Sequence, residues 1–147
     1  MTVWREQALI QAPVGAVWEL VGDPTRYPEW AGNVVSVTGL AELAETETFE
    51  QVTHMPLSGD QTTIFEVEKL DDLHEIRLRC QSSGYYSRWV LTPAQAATFA
   101  EVEIGVEPTA AQHRLYFGLL GKRFMRKVAV DAIDGVRRQL GPGEPGD

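Results

Sequence analysis

Gly118–Leu140, GLLGKRFMRKVAVDAIDGVRRQL, is the stretch from which the fold is read. Phe124, Met125, Val128, Ala129, Ala132, Ile133, Val136 and Leu140 recur at the i, i+1, i+4, i+5 spacing that gathers apolar side chains on one broad helix face. Lys122, Arg123, Arg126, Lys127, Asp131, Asp134, Arg137 and Arg138 fill the remainder, so the helix has one dry side and one wet side. At about 1.5 Å per residue it is about 35 Å long, about the span of a ten-residue strand at about 3.3 Å per residue. Such a helix can lie across a whole sheet. Gly118 and Gly121 fall in its first turns, where a bend or break is expected.

Upstream the period changes to two, interrupted by turn residues, which is the pattern of an antiparallel meander. Strands are expected at about 34–41, 46–55, 61–70, 74–82, 85–92 and 98–107, with PLSGD (56–60) and Ser83 with Gly84 among the breaks. Thr109 with Gln112 resembles a capping box for the segment after Pro108. Strand parity puts Phe49, Gln51, Thr53 and Met55 on one face, with Thr63, Phe65, Val67, Ile76, Leu78 and Cys80. Tyr85, Ser87, Trp89, Leu91, Ala100, Val102, Ile104 and Val106 join them. Glu50, Glu66, Glu68, Glu75, Arg77, Arg79, Arg88, Glu101, Glu103 and Glu107 take the opposite, wet face. The helix must cover the dry one.

Before the meander, residues 3–11 alternate as a first strand. Residues 12–21 then read as a helix with Pro13 in its first turn and Val14, Val17, Trp18 and Val21 as its stripe. Asp23 before Pro24 starts a second, short helix holding Tyr27, Pro28 and Trp30. The sequence thus predicts an α+β domain over residues 1–140, and the tail 141–147 (GPGEPGD) is too rich in Gly and Pro for regular structure.

A chain of 147 residues can bury roughly 70% of its unfolded surface and needs no staples. Cys80, the single cysteine, excludes an internal disulfide and reads as a buried, inert thiol in a strand. There is no apolar signal core and no run of membrane-spanning length, so a cytoplasmic protein is expected. The net charge of −8 is uneven: from Arg114 to Leu140 seven Lys or Arg face two acids, leaving +5 there and −13 elsewhere. So acidic a body argues against nucleic acid as a partner.

The order of elements, with Ala12 and Pro13, Val17 and Trp18, Asp23, and Pro28 with Trp30 in the N-terminal string, resembles the START-like superfamily. That superfamily includes the Bet v 1 and polyketide cyclase/dehydrase (SRPBCC) proteins. The resemblance implies a helix-grip fold: a curved seven-strand antiparallel sheet wrapped around the long C-terminal helix, with two short helices after the first strand. It also implies binding or carriage of a small hydrophobic molecule, a lipid, polyketide, sterol or quinone, in a cavity between sheet and helix.

The residues place that cavity's mouth. Thr53, Thr63, Ser82 and Tyr85 lie near turns that a meander brings to one end of the sheet. A ligand's polar head is expected there, with Gln51, and its apolar body among Trp30, Phe49, Phe65, Leu78, Trp89, Leu91, Val102, Phe124 and Val128. An alternative is a cyclase or dehydratase with Tyr85 as its acid, since the dry face offers little else that titrates. Arg88 falls outward, and Lys69 stands at the far end of its strand. A third reading is a lipid-handling or regulatory module that touches a membrane or protein through Lys122, Arg123, Arg126 and Lys127. His54, His74 and His113 lack ligand spacing, so no metal is expected. No cofactor is implied.

Overall fold

Alternating apolar residues along successive strands can be buried only if every strand turns the same parity toward one layer, and the chain does this in a single sheet. The computed structural model describes residues 2–40, 42–55, 59–107 and 111–140, with residue 2 and residues 111–120 described as backbone only. The strands are β1 (Thr2–Ile10), β2 (Val34–Thr38), β3 (Thr48–Met55), β4 (Gly59–Asp71), β5 (Glu75–Cys80), β6 (Tyr85–Ala94) and β7 (Ala97–Val106). They form one seven-stranded sheet in the order β1-β7-β6-β5-β4-β3-β2, every neighbouring pair antiparallel. The helices are α1 (Val14–Val21), α2 (Tyr27–Trp30) and α3 (Ala111–Leu140). This is the helix-grip architecture, with α3 as the second layer.

The local chemistry explains the connections. Asp23 caps the 3-10 turn Pro24–Arg26 that leads into α2, its carboxylate accepting from the Thr25 backbone N–H at 3.0 Å. Trp30 is buried and donates its indole N–H to the Leu20 carbonyl at 3.3 Å, which ties α2 to α1. Gly135 lets α3 reach this pair, because a Cβ there would lie well under 3.0 Å from the Trp30 carbonyl oxygen. At Gly121 φ is 58°, a left-handed conformation that glycine adopts without a Cβ penalty, and α3 breaks there. The core joins the inner face of the sheet to Met125, Ala129, Ala132, Ile133 and Val136 of α3.

Several expectations need correction. The strand expected at about 34–41 is shorter, because β2 ends at Thr38. The buried stripe of α1 is Val17, Leu20 and Val21, with Val14 and Trp18 only partly covered. Lys69 faces outward to Glu75, because the register shifts between Val67 and Lys69 and a bulge reverses the parity. The outer face is also less wet than alternation suggests, since Glu75, Glu103 and Tyr86 are buried on it. The Pro56–Ser58 part of one turn, Thr109 and the tail 141–147 lie outside the described residues.

Candidate functional site

The side chains that α3 does not fill leave two adjoining cavities on the inner face. The first, about 90 Å³, sits at the end of the sheet where β3 gives way to β4 and β5 to β6. Its walls are Thr53 and Met55 of β3, Gln61, Thr63 and Phe65 of β4, Cys80 of β5, Ser82 and Ser83 of the following turn, Tyr85 of β6, and Asn33. The second, about 50 Å³, lies between the sheet and α3. It is walled by Tyr27, Trp30, Ala31, Asn33 and Val34 from the α2–β2 corner, Gln51, Phe65, Leu78, Tyr85, Ser87, Trp89, Val102 and Ile104 from the sheet, and Val128 and Ala132 from α3. Asn33, Phe65 and Tyr85 are common to both and form the partition.

Aromatic rings stiffen the walls. Trp30 and Trp89 meet edge to face with centroids 5.5 Å apart, and Tyr27 meets Trp30 in the same way at 5.2 Å. Phe65 stacks on Phe49 at 5.8 Å and meets Tyr85 edge to face at 6.1 Å. Such arrangements match the positive edge of one ring to the negative face of the next. The wall is therefore held by rings rather than by charges.

Its ionisable groups are two phenols and a thiol. Burial pushes the Tyr85 phenol up, and the nearby Cys80 adds to this, while a hydrogen bond from the Asn33 side chain opposes it. Tyr27 is also pushed up, by burial and then by the charge of Asp23. Both phenols stay protonated at neutral pH and act as hydrogen-bond donors or acceptors. Burial alone would raise the Cys80 thiol, but hydrogen bonds from Ser82 and Ser83 outweigh it and hold the thiol below its ordinary value. None of the described wall residues is Asp, Glu, Lys, Arg or His. Among the described residues no group of three or more His, Cys, Asp or Glu is placed to hold a metal ion, and no helix is long and apolar enough to cross a membrane.

Of the residues singled out from the sequence, Thr53, Thr63, Ser82 and Tyr85 come together on the turn-end cavity. Trp30, Gln51, Leu78, Trp89, Val102 and Val128 come together on the helix-side cavity, and Phe65 borders both. Phe49, Leu91 and Phe124 are buried but border neither, so they pack as core. Arg88 points outward to Glu75. Sequence reasoning missed Asn33, which sits between α2 and β2 where neither helical nor strand period applies. It also left Tyr27 and Cys80 out of the site. For Cys80 the signal was present, since its parity is inward.

A family model described as "Polyketide cyclase / dehydrase and lipid transport" matches residues 1–141. No curated protein matches at a significant level. Among solved structures, a START superfamily protein from Mycobacterium smegmatis is similar with a TM-score of 0.72 at 12% identity, over 95% of this chain and 97% of that one. The di-domain ARO/CYC BexL from the BE-7585A biosynthetic pathway matches with a TM-score of 0.72 at 14% identity, over 97% of this chain and 48% of that one. A protein from Thermus thermophilus matches with a TM-score of 0.69 at 20% identity, over 94% of this chain and 96% of that one. At these identities the likeness is one of fold.

Proposed function

Because the chain belongs to the polyketide cyclase/dehydrase and lipid transport family, we propose that it binds or carries a small, mainly apolar molecule across the two adjoining cavities on the inner face of the sheet. The observation that carries this reading is the pair of adjoining cavities with a shared partition and no charged side chain among their described walls. The ligand's apolar body lies against Trp30, Trp89, Val102 and Val128. Its polar end meets Tyr85, Thr53, Thr63 and Ser82. Apolar walls with a few convergent polar groups are what small-molecule sites commonly offer. These cavities are far below the roughly 300–1,000 Å³ of drug-sized sites, so a sterol or an extended lipid enters only if wall side chains move.

Binding is favoured over acid/base catalysis by the same walls. General acid or base work is most effective with a group whose pKa lies near the working pH; both wall phenols are displaced away from it, and among the described wall residues Cys80 alone is moved toward it. In a cyclase, Tyr85 would orient or polarise a substrate oxygen as a neutral donor, without taking up a proton. Native mass spectrometry of the protein purified from its own host, under gentle and then denaturing conditions, tests the reading. A co-purifying small molecule released on denaturation is the expected outcome. Unchanged binding of a hydrophobic probe after Trp89→Ala would overturn this placement of the ligand.

A further inference from the structure

Four polar side chains meet where the two cavities adjoin. Asn33 and Tyr85 border both, Thr53 borders the turn-end cavity and Gln51 the helix-side one. Gln51 and Thr53 are 6% and 7% exposed, and Gln51 Nε2 donates to Thr53 Oγ1 at 2.8 Å. That bond engages one end of the amide, and the other end, Oε1, meets no donor among the described residues. Buried polar atoms in native proteins are paired with protein, water or ligand, and one left alone is costly. Tyr85 supplies the complement. The Asn33 side chain pairs with its hydroxyl, and with the Asn33 amide N–H donating to the phenol oxygen the hydroxyl hydrogen is left for a ligand. The junction thus offers an acceptor, Gln51 Oε1, beside the Tyr85 O–H as donor, with the second Gln51 Nε2 hydrogen and the Thr53 hydroxyl hydrogen as further donors in the same small space.

We propose that the junction recognises a single-ring phenol, whose hydroxyl donates to Gln51 Oε1 and accepts from the Tyr85 O–H while its ring faces Trp30 and Trp89. The proposal rests on the reading that the cavities hold a ligand, and adds the ligand's class. A hydroxyl gives and takes a hydrogen bond at one atom, whereas a carbonyl would leave Gln51 Oε1 unmet. An ammonium would bring a charge into walls that have none to pair with it. The edge-to-face pair of Trp30 and Trp89 favours a flat ring over an alkyl chain. Size bounds the ligand from above: each cavity, about 90 and 50 Å³, is smaller than a dry cavity of about 150 Å³ that accepts benzene, so a single ring already needs the shared partition of Asn33, Phe65 and Tyr85 to shift, and a larger molecule needs more.

The test titrates the full chain with phenol and with toluene, which carries a methyl where phenol has its hydroxyl, and follows the tryptophan indole N–H signals by NMR. Wild type, Gln51→Leu and Tyr85→Phe are compared. The ratio of phenol to toluene affinity is expected to fall about tenfold in each variant, the worth of one buried hydrogen bond. A ratio within about twofold of wild type in either variant overturns the two-point recognition while leaving ligand binding intact. No saturable binding of either compound by wild type overturns this assignment, and the ligand reading falls with it only if native mass spectrometry of the host-purified protein also finds no bound molecule. If Gln51→Leu does not fold, Tyr85→Phe decides, because it removes one oxygen and keeps the ring against Phe65.

Discussion

On the outer face of the sheet Glu75 and Glu103 are 6% and 7% exposed, as deeply buried as Gln51 and Thr53 are on the inner face. The acids are paired several times over. Glu75 meets Arg88 and Lys69, and Glu103 meets Arg5, Arg88 and the Tyr86 hydroxyl. Arg77 and Arg79 extend the network to Glu68 and Glu107, and the Arg77 guanidinium lies 4.0 Å above the Tyr86 ring. The inner amide and hydroxyl have one described side-chain bond between them. A buried charge is tolerable only when paired, so the outer face had to be completed. The inner face keeps voids and open polar atoms that a ligand can complete. One face of the sheet is finished within the chain, and the other is the one to which the proposed ligand is assigned.

The largest expected effect attacks the seam that closes the inner face. Gly135→Ala sets a Cβ against the Trp30 backbone oxygen, which no side-chain rotation relieves. A loss of about 3 kcal/mol in denaturant unfolding is expected, at the upper end of overpacking costs. A neutral result would mean that α3 and α2 are not in register at this point, and the cavity walls contributed by Val128 and Ala132 would lose their basis.

On the outer face the sharper test is Glu103→Ala, which leaves Arg5, Arg88 and the buried Tyr86 hydroxyl without their shared acceptor. A loss of about 2 kcal/mol is expected, within the range for hydrogen bonds to charged groups. The pH dependence gives its sign independently. Burial alone would raise the Glu103 carboxyl, but hydrogen bonds from Tyr86 and Arg5 and the charges of Arg5 and Arg88 outweigh it and hold the pKa below 4.5. Glu75 is held down likewise, burial being outweighed by Arg88 and Lys69. A carboxyl depressed in the folded state stabilises fully above its unfolded value, and that stabilisation is lost as pH falls through the folded one. Stability should therefore fall on acidification below about pH 4.5, less steeply in Glu103→Gln. An equal acid limb in wild type and variant would break the claim that this face is held by paired acids.

The two faces also differ in how far the sequence discloses them. Inner positions such as Phe65, Leu78, Trp89 and Val102 follow from period two, because every one-residue slip would move them into water. The dry side of α3 follows from its spacing in the same way. The outer cluster does not, since Tyr86 has the parity of an exposed residue. Its burial depends on Gly105 directly across the register, where the missing side chain leaves room for the ring. Pairing across strands, which no single run of residues encodes, turns an amphipathic alternation into a packed outer layer. Lys69 escapes for a related reason, since no residue near it announces the bulge. At the candidate site, Thr53, Thr63, Ser82 and Tyr85 are legible from parity and turn position, whereas Asn33 stands in a corner without a period. The open end of Gln51 is a property of three-dimensional pairing alone.

A third prediction exploits the voids. Ser87 borders the helix-side cavity, between Leu78 of β5 and Ile104 of β7. Ser87→Val adds methyl groups of a β-branched residue that suits a strand and fills part of the space. A gain of about 1 kcal/mol is expected, as for other cavity-filling changes, together with loss of hydrophobic probe binding. This opposition is the signature of a cavity kept open at a cost in stability. Destabilisation with unchanged probe binding would place the ligand elsewhere.

The smallest expected effect concerns the wet side of α3, where the comparison of faces reaches its limit. Lys122, Arg123, Arg126 and Lys127 are exposed, and the i, i+4 pair of Lys127 with Asp131 at 2.8 Å joins side chains that are 75% and 43% exposed. Solvent screens such a pair and the long lysine side chain gives up entropy to hold it, so Lys127→Ala should cost about 0.3 kcal/mol, and less at high salt. Charges here are numerous, as on the outer face of the sheet, yet exposure strips them of most of their structural weight. Flotation with vesicles containing anionic lipid, compared between wild type and Lys122→Glu with Lys127→Glu, separates a membrane-binding side from a solvated one. Salt-sensitive binding lost on charge reversal would assign this side to a membrane surface, and no binding by wild type would make it a solvated face with no part in ligand delivery.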